Sequence, residues 1–185
     1  MFKFGFLNEH NEESSFEYSD LFYHEPLNGG ERITIGPSNK HVSLILDLAE
    51  RWEQQEYSIL YVLLLSHAGH QPGRYQSPIL ASFEELQLFL STFQEFFEGD
   101  GRHHIWIASS QGDEMLIYDQ HNVIFAYGDL KRYKKYLTDK SFQEQSFSFP
   151  TSHIHNYHPD NTKYEDELMK FFDWKYFPLQ DGDEY

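Results

Sequence analysis

Tyr57-Ser58-Ile59-Leu60-Tyr61-Val62-Leu63-Leu64-Leu65 is the stretch on which the fold turns. Apolar residues fill both alternating sets of positions, which a strand shows only when both faces are covered, so an interior strand is expected over about 57–65. Upstream, Gly36-Pro37 breaks the chain after a short strand around Arg32 to Ile35. Ser38 or Asn39 then stands where it can cap a helix carrying Val42, Ile45, Leu46, Ala49 and Trp52 on one face. Downstream, Ser82-Phe83-Glu84-Glu85 spells a capping box. Leu86, Phe89, Leu90, Phe93, Phe96 and Phe97 follow at helical spacing until Gly99 and Gly101 end the run.

Strands through His104 to Ala108, Met115 to Tyr118 and Val123 to Tyr127 are joined by turns at Gln111-Gly112-Asp113 and Asp119 to Asn122. Such short turns force antiparallel neighbours, giving a meander over about 103–127. A third helix is expected from Asp129 to about Thr138, burying Leu130, Tyr133 and Leu137 and exposing Lys131, Arg132, Lys134 and Lys135. A short strand at Ser146 to Phe149 precedes a second capping box, Thr162-Lys163-Tyr164-Glu165, and a last helix that buries Tyr164, Leu168, Phe171 and Phe172. Together these predict one α+β domain over 1–185, an antiparallel or mixed sheet with about four helices mainly on one side. The polar segment 9–30 is expected to wrap the surface, and the acidic tail 180–185 to fray.

Aromatic residues make up 18% of the 185 positions, enough ring area for a core without disulfide or metal staples. Cysteine is absent. That removes disulfides, thiol nucleophiles and cysteine-held metals, and it fits a reducing, cytoplasmic setting. Asn8 and Glu9 interrupt the apolar N-terminus before a signal-peptide core forms, and the longest apolar run, Ile59 to Leu65, falls far short of the about 18 residues of a membrane span. The net charge of −16, from 14 Lys+Arg against 30 Asp+Glu, disfavours nucleic acid and anionic membranes and favours a basic protein partner. No dinucleotide fingerprint, phosphate loop or nucleophile elbow occurs, and no cofactor is expected.

Eleven histidines draw attention. His67, His70 and Arg74 sit in the loop after the central strand, where two imidazoles and a guanidinium could form an acid–base or anion site; a glycine-rich crossover with ordinary surface bonds is the simpler reading. In the segment His153-Ile154-His155-Asn156-Tyr157-His158, His153 and His155 share a face if the chain is extended. His158 with Asp160 could complete a nitrogen/oxygen site of the kind zinc accepts, though the spacing matches no established zinc motif. His103 and His104 must point to opposite faces of their strand. Ser66 near His67, and Ser109-Ser110 with Asp119 and His121, supply triad ingredients without a motif to fix their geometry.

At class level the chain is similar to the immunity proteins with which bacteria neutralise contact-delivered or polymorphic toxins, which are often small, acidic and free of cysteine. The likeness lies in whole-chain character and carries over no residue. It implies a binding protein whose negative surface steers toward a basic toxin. Tyr18, Tyr23, Tyr176 and Tyr185 are the expected aromatic anchors. The alternative is a small histidine-using enzyme with its site in the 67–75 loop and His103, His104 and His121 as candidate contributors. A DNA-mimicking inhibitor ranks third, because the acidic residues are spread along the chain.

Overall fold

The structure, a computed structural model, describes residues 2–150 and 152–183. In chain order its first half contains β1 (Phe4–Leu7), β2 (Glu13–Ser15), β3 (Leu21–Leu27), β4 (Gly30–Gly36), α1 (His41–Ala49), β5 (Tyr57–Leu63), β6 (Gly73–Gln76), α2 (Phe83–Thr92) and α3 (Gln94–Gly99). The second half contains β7 (His103–Ser109), β8 (Met115–Tyr118), β9 (Ile124–Tyr127), α4 (Leu130–Asp139), β10 (Gln143–Glu144), β11 (His153–His155), α5 (Thr162–Phe171) and β12 (Lys175–Phe177). Nine strands form one mixed sheet in the order β10-β3-β4-β9-β8-β7-β5-β6-β12, and β11-β1-β2 make a small second sheet. The α+β class, the interior strand and the meander are all present.

β5 runs antiparallel between β6 and β7, with Ile59 opposite Ile107 and Tyr61 opposite Ile105. Tyr57, Ile59, Tyr61 and Leu63 share the face that meets the helices, and each is fully buried. Ile33, Ile35, Leu116, Tyr118 and Ile124 continue that face, and Leu48, Phe89, Leu90, Phe97, Tyr133 and Leu168 come down on it from the helices in one continuous core. The other face differs from expectation. Among the described residues no helix covers it; Leu60 and Trp106 pair there half-buried, and Val62 pairs with His104 and Arg74 beneath the C-terminal residues 181–183. The apolar run at 57–65 therefore records one helical cover and one made of aromatic and arginine side chains.

Several boundaries moved for local reasons. The long aromatic helix divides at Phe93, where the backbone leaves helical geometry (φ −108°, ψ 15°), and yields α2 and α3. Half of its capping box forms: Ser82 accepts from the Glu85 amide, while the Glu85 carboxylate takes the Ala81 amide at 2.8 Å in place of that of Ser82. The first helix is not capped by Ser38 or Asn39: Lys40 precedes it in a left-handed conformation, and the Val42 amide donates to the Glu98 carboxylate from α3 at 2.9 Å. The segment 9–30 does more than wrap the surface, because β3 lies within the main sheet and buries Phe22. The strand expected at Ser146 to Phe149 lies instead at Gln143–Glu144, paired parallel to Leu21 and Phe22.

The second capping box does not form, because Glu165 turns inward. Fully buried, it accepts from the Arg102 guanidinium at 2.7 Å and from the Ser66 hydroxyl. Arg102, also fully buried, donates through Nε and Nη2 to both oxygens of Asp100 at 2.7 and 2.8 Å and through Nη2 to the His158 carbonyl at 2.9 Å. Asp100 in turn accepts from the His158 amide and the Asn161 side chain. Burial works against ionisation of Asp100, but Arg102 and these donors outweigh it and hold its carboxyl below the usual range.

Arg102→Ala would leave two carboxylates buried without a cation and should cost about 3 to 5 kcal/mol in urea unfolding. Leu88→Ala, at a residue 61% exposed, should shift the midpoint little. Asp100 has a depressed folded pKa, so its stabilisation is complete above its unfolded value of about 3.9 and is lost as pH falls through the folded value. The wild-type urea midpoint should therefore drop below about pH 4 more steeply than that of Arg102→Ala; equal acid profiles would show that the network does not carry this stability.

Candidate functional site

The loop residues singled out from the sequence do not converge. His67 is exposed with its ring edge toward Tyr157, and His70 bonds Asp166 at 2.8 Å beside α5. Arg74 lies on the helix-free sheet face and grips Asp183 with two bonds of 2.8 and 2.6 Å. Asp183 is only 3% exposed, so the tail is docked to that point rather than frayed. The Ser66 hydroxyl turns to Glu165 and that of Ser110 to Glu56, so neither takes up a nucleophile's partnership with a histidine.

The expected anchors also separate. Tyr18 is 5% exposed and packs between Phe16 and Phe147, inside rather than on the surface. Tyr23 is half-buried against Phe147 on the helix-free face, and Tyr176 is 39% exposed beside Tyr75. Tyr185 lies outside the described residues. Three of the four basic residues on α4 are in ion pairs: Arg132 with Asp129 and Glu53, Lys134 with Glu144, Lys135 with Asp139.

A cleft of about 430 Å³ opens where the small sheet meets the start of α1 and the end of α3. Phe2 and Phe16 wall it, and Glu17, Glu95, Glu98 and Lys40 line it. At its base lies Lys3, fully buried, whose ammonium donates to the Phe97 carbonyl at 3.1 Å and stands 3.7 Å over the Tyr118 ring. Burial lowers the Lys3 pKa to about 7 against the pull of Asp119, Glu98 and Asp100. His41, stacked on Tyr118, is pushed down to about 3 by burial and by the Lys3 charge, and stays neutral. Above pH 7 the cleft thus presents three carboxylates against Lys40, beside aromatic rings: a receptor for a guanidinium or ammonium group. Comparison with protein-family models, curated proteins and solved structures returned no match for this chain.

Beside the cleft, on the far side of Phe4, three histidines gather. His153 and His155 share a face of β11 as their spacing predicts, and they meet His121 from the turn between β8 and β9. His158 is not the third member; its ring bonds the Phe2 carbonyl at 3.0 Å. Asp119 holds the His121 ring through Nδ1 at 2.9 Å. His155 is lowered to about 4, by burial first and then by His121 and His153. His103 and His104 point to opposite faces as expected, His103 among Phe96, Phe97 and Tyr61 on the helix side. The sequence signal for His121 was the Asp119-Gln120-His121 turn, in which an aspartate bonds the amides ahead of it. No local pattern announced the cleft, whose lining comes from six separated stretches of chain.

Asp183→Asn should weaken the clasp from Arg74. Amide exchange at Gln180 and Asp183, whose N–H groups bond within that turn, should accelerate about tenfold, the factor that corresponds to about 1.4 kcal/mol. Unchanged exchange at both amides would show that the tail is held by other contacts.

Proposed function

We propose that this chain is a binding protein of the immunity type, which neutralises a basic protein partner, a toxin in the reading that its whole-chain character suggests. The observation that carries the reading is where the positive charge goes. Arg102 is enclosed, Lys3 is buried and sheds its proton near neutrality, and Arg32, Arg74, Arg132, Lys134 and Lys135 are paired to carboxylates. A chain with a formal charge of −16 thus spends much of its cation content internally, while Glu9, Glu12, Glu13, Glu17, Glu84, Glu85 and Glu95 stand exposed. Such a field speeds encounter with a cationic surface.

Specificity needs a defined contact, and the cleft beside β1 offers one. An arginine or lysine of the partner entering between Phe2 and Phe16 would meet Glu17, Glu95 and Glu98. The helix-free face with Tyr23 and the exposed Tyr176 supplies further aromatic area.

The test is co-expression with the product of the neighbouring gene, followed by capture and measurement of association rates. The complex should form at low salt, and its association rate should fall steeply as salt rises and screening shortens the reach of charge to about 8 Å at physiological ionic strength. Glu17→Lys with Glu95→Lys should slow association by about tenfold or more and leave the thermal melt unchanged. Absence of any complex at low salt, together with turnover of a small molecule by the purified chain, would overturn the reading in favour of an enzyme.

A further inference from the structure

We propose that His121, His153 and His155 form a binding site for one divalent transition-metal ion of the zinc type. One ring nitrogen from each lies within 4.8 Å of the other two, so some point lies within about 2.8 Å of all three. A zinc–nitrogen bond is about 2.0 to 2.1 Å, so ring movements of under about 1 Å bring the three onto a common ion. The set draws on both sheets. His121 comes from the β8–β9 turn of the large sheet, while His153 and His155 come from one edge strand of the small sheet.

The surroundings are built as metal-binding histidines require. Asp119 accepts from His121 Nδ1 at 2.9 Å, and the Pro150 carbonyl accepts from His153 Nδ1 at 3.2 Å. Each bond places the proton on Nδ1, the tautomer that carboxylate and carbonyl partners set behind metal-bound imidazoles. Asp119 is itself fixed, because its other oxygen takes the amides of His121 and Val123 at 2.9 and 3.0 Å. It therefore supports the site and does not enter it. His155 Nδ1 is buried with no hydrogen-bond partner among the described residues, a state that a polar ring nitrogen rarely keeps.

Phe4 packs against all three rings at centroid distances of 5.4 to 5.7 Å, and Phe149 stacks on His121 at 4.4 Å, so the imidazoles are held in orientation by packing. Three neutral nitrogen donors suit zinc, copper or nickel and not calcium or magnesium, which demand oxygen. Three protein ligands also leave one coordination position for water or a fourth donor. The ion clips the small sheet to the large one. This assignment does not depend on the partner reading.

The test uses the full chain without a histidine tag, stripped with chelator and titrated with Co²⁺ as a spectroscopic probe and then with Zn²⁺. One ion per chain should bind, with the visible bands of tetrahedral cobalt. At a zinc concentration 100 times the dissociation constant, the Tm should rise by about 5 to 11 °C. His153→Ala and His155→Ala, at half-buried positions, should each abolish the cobalt spectrum, and His67→Ala should leave it intact. Should a variant fail to fold, the wild-type spectrum and stoichiometry still decide. No cobalt bands and no Tm rise in the wild type, or a full Tm rise retained in the His153→Ala/His155→Ala double variant, would overturn the site.

Discussion

The buried pairing of Arg102 with Asp100 and Glu165 is the constraint on which the arrangement of the other elements depends. A guanidinium without water needs its charge balanced and its donors met, and here two carboxylates and the His158 carbonyl do both. Asp100 stands at the end of α3, Arg102 at the start of β7, and Glu165 in the first turns of α5. Satisfying one side chain therefore fixes where the last helix meets the central strands. Ser66 and Asn161 extend the network, so the loop leaving β5 and the turn before α5 are held by the same charges.

That anchoring leaves the sheet with two unlike faces. The helices cover one completely, and aromatic contacts such as Phe89 with Phe172 and Phe93 with Phe171 fill the space between layers. The other carries Trp106, Arg74 and Arg32, with the Arg32 guanidinium over the Phe125 ring at 4.1 Å and Arg74 closed by Asp183. Apolar stems and rings shield that face while the two guanidinium groups stay paired to Glu25 and Asp183.

The end of the large sheet is where the small sheet docks, and both candidate sites lie there. Phe4 separates them: the cleft with its carboxylates on one side, the three histidines on the other. Burial, with the neighbouring His121 and His153, is what lowers His155 against the pull of Asp119. The same burial takes Lys3 toward its neutral form and so leaves the neighbouring cleft to its carboxylates.

Periodicity and local chemistry were legible in the sequence wherever a residue's role depended on its near neighbours. The apolar run from Tyr57 set a strand, Ser82 with Glu85 set the start of α2, the short turns set the meander, and the spacing of His153 and His155 set their common face. The α+β class follows from those local rules, because each element must bury an apolar face and the order of elements limits how. Residues whose partners lie far along the chain were not legible. Glu165 reads as a cap three residues into a helix, yet an arginine 63 positions away claims it. Asp183 reads as tail and is clasped by Arg74 across 109 positions, while His158 reads as the third histidine until the β8–β9 turn brings His121 closer. Charge pairing and site assembly are decided by distance in space, and only the packed tertiary structure fixes those distances.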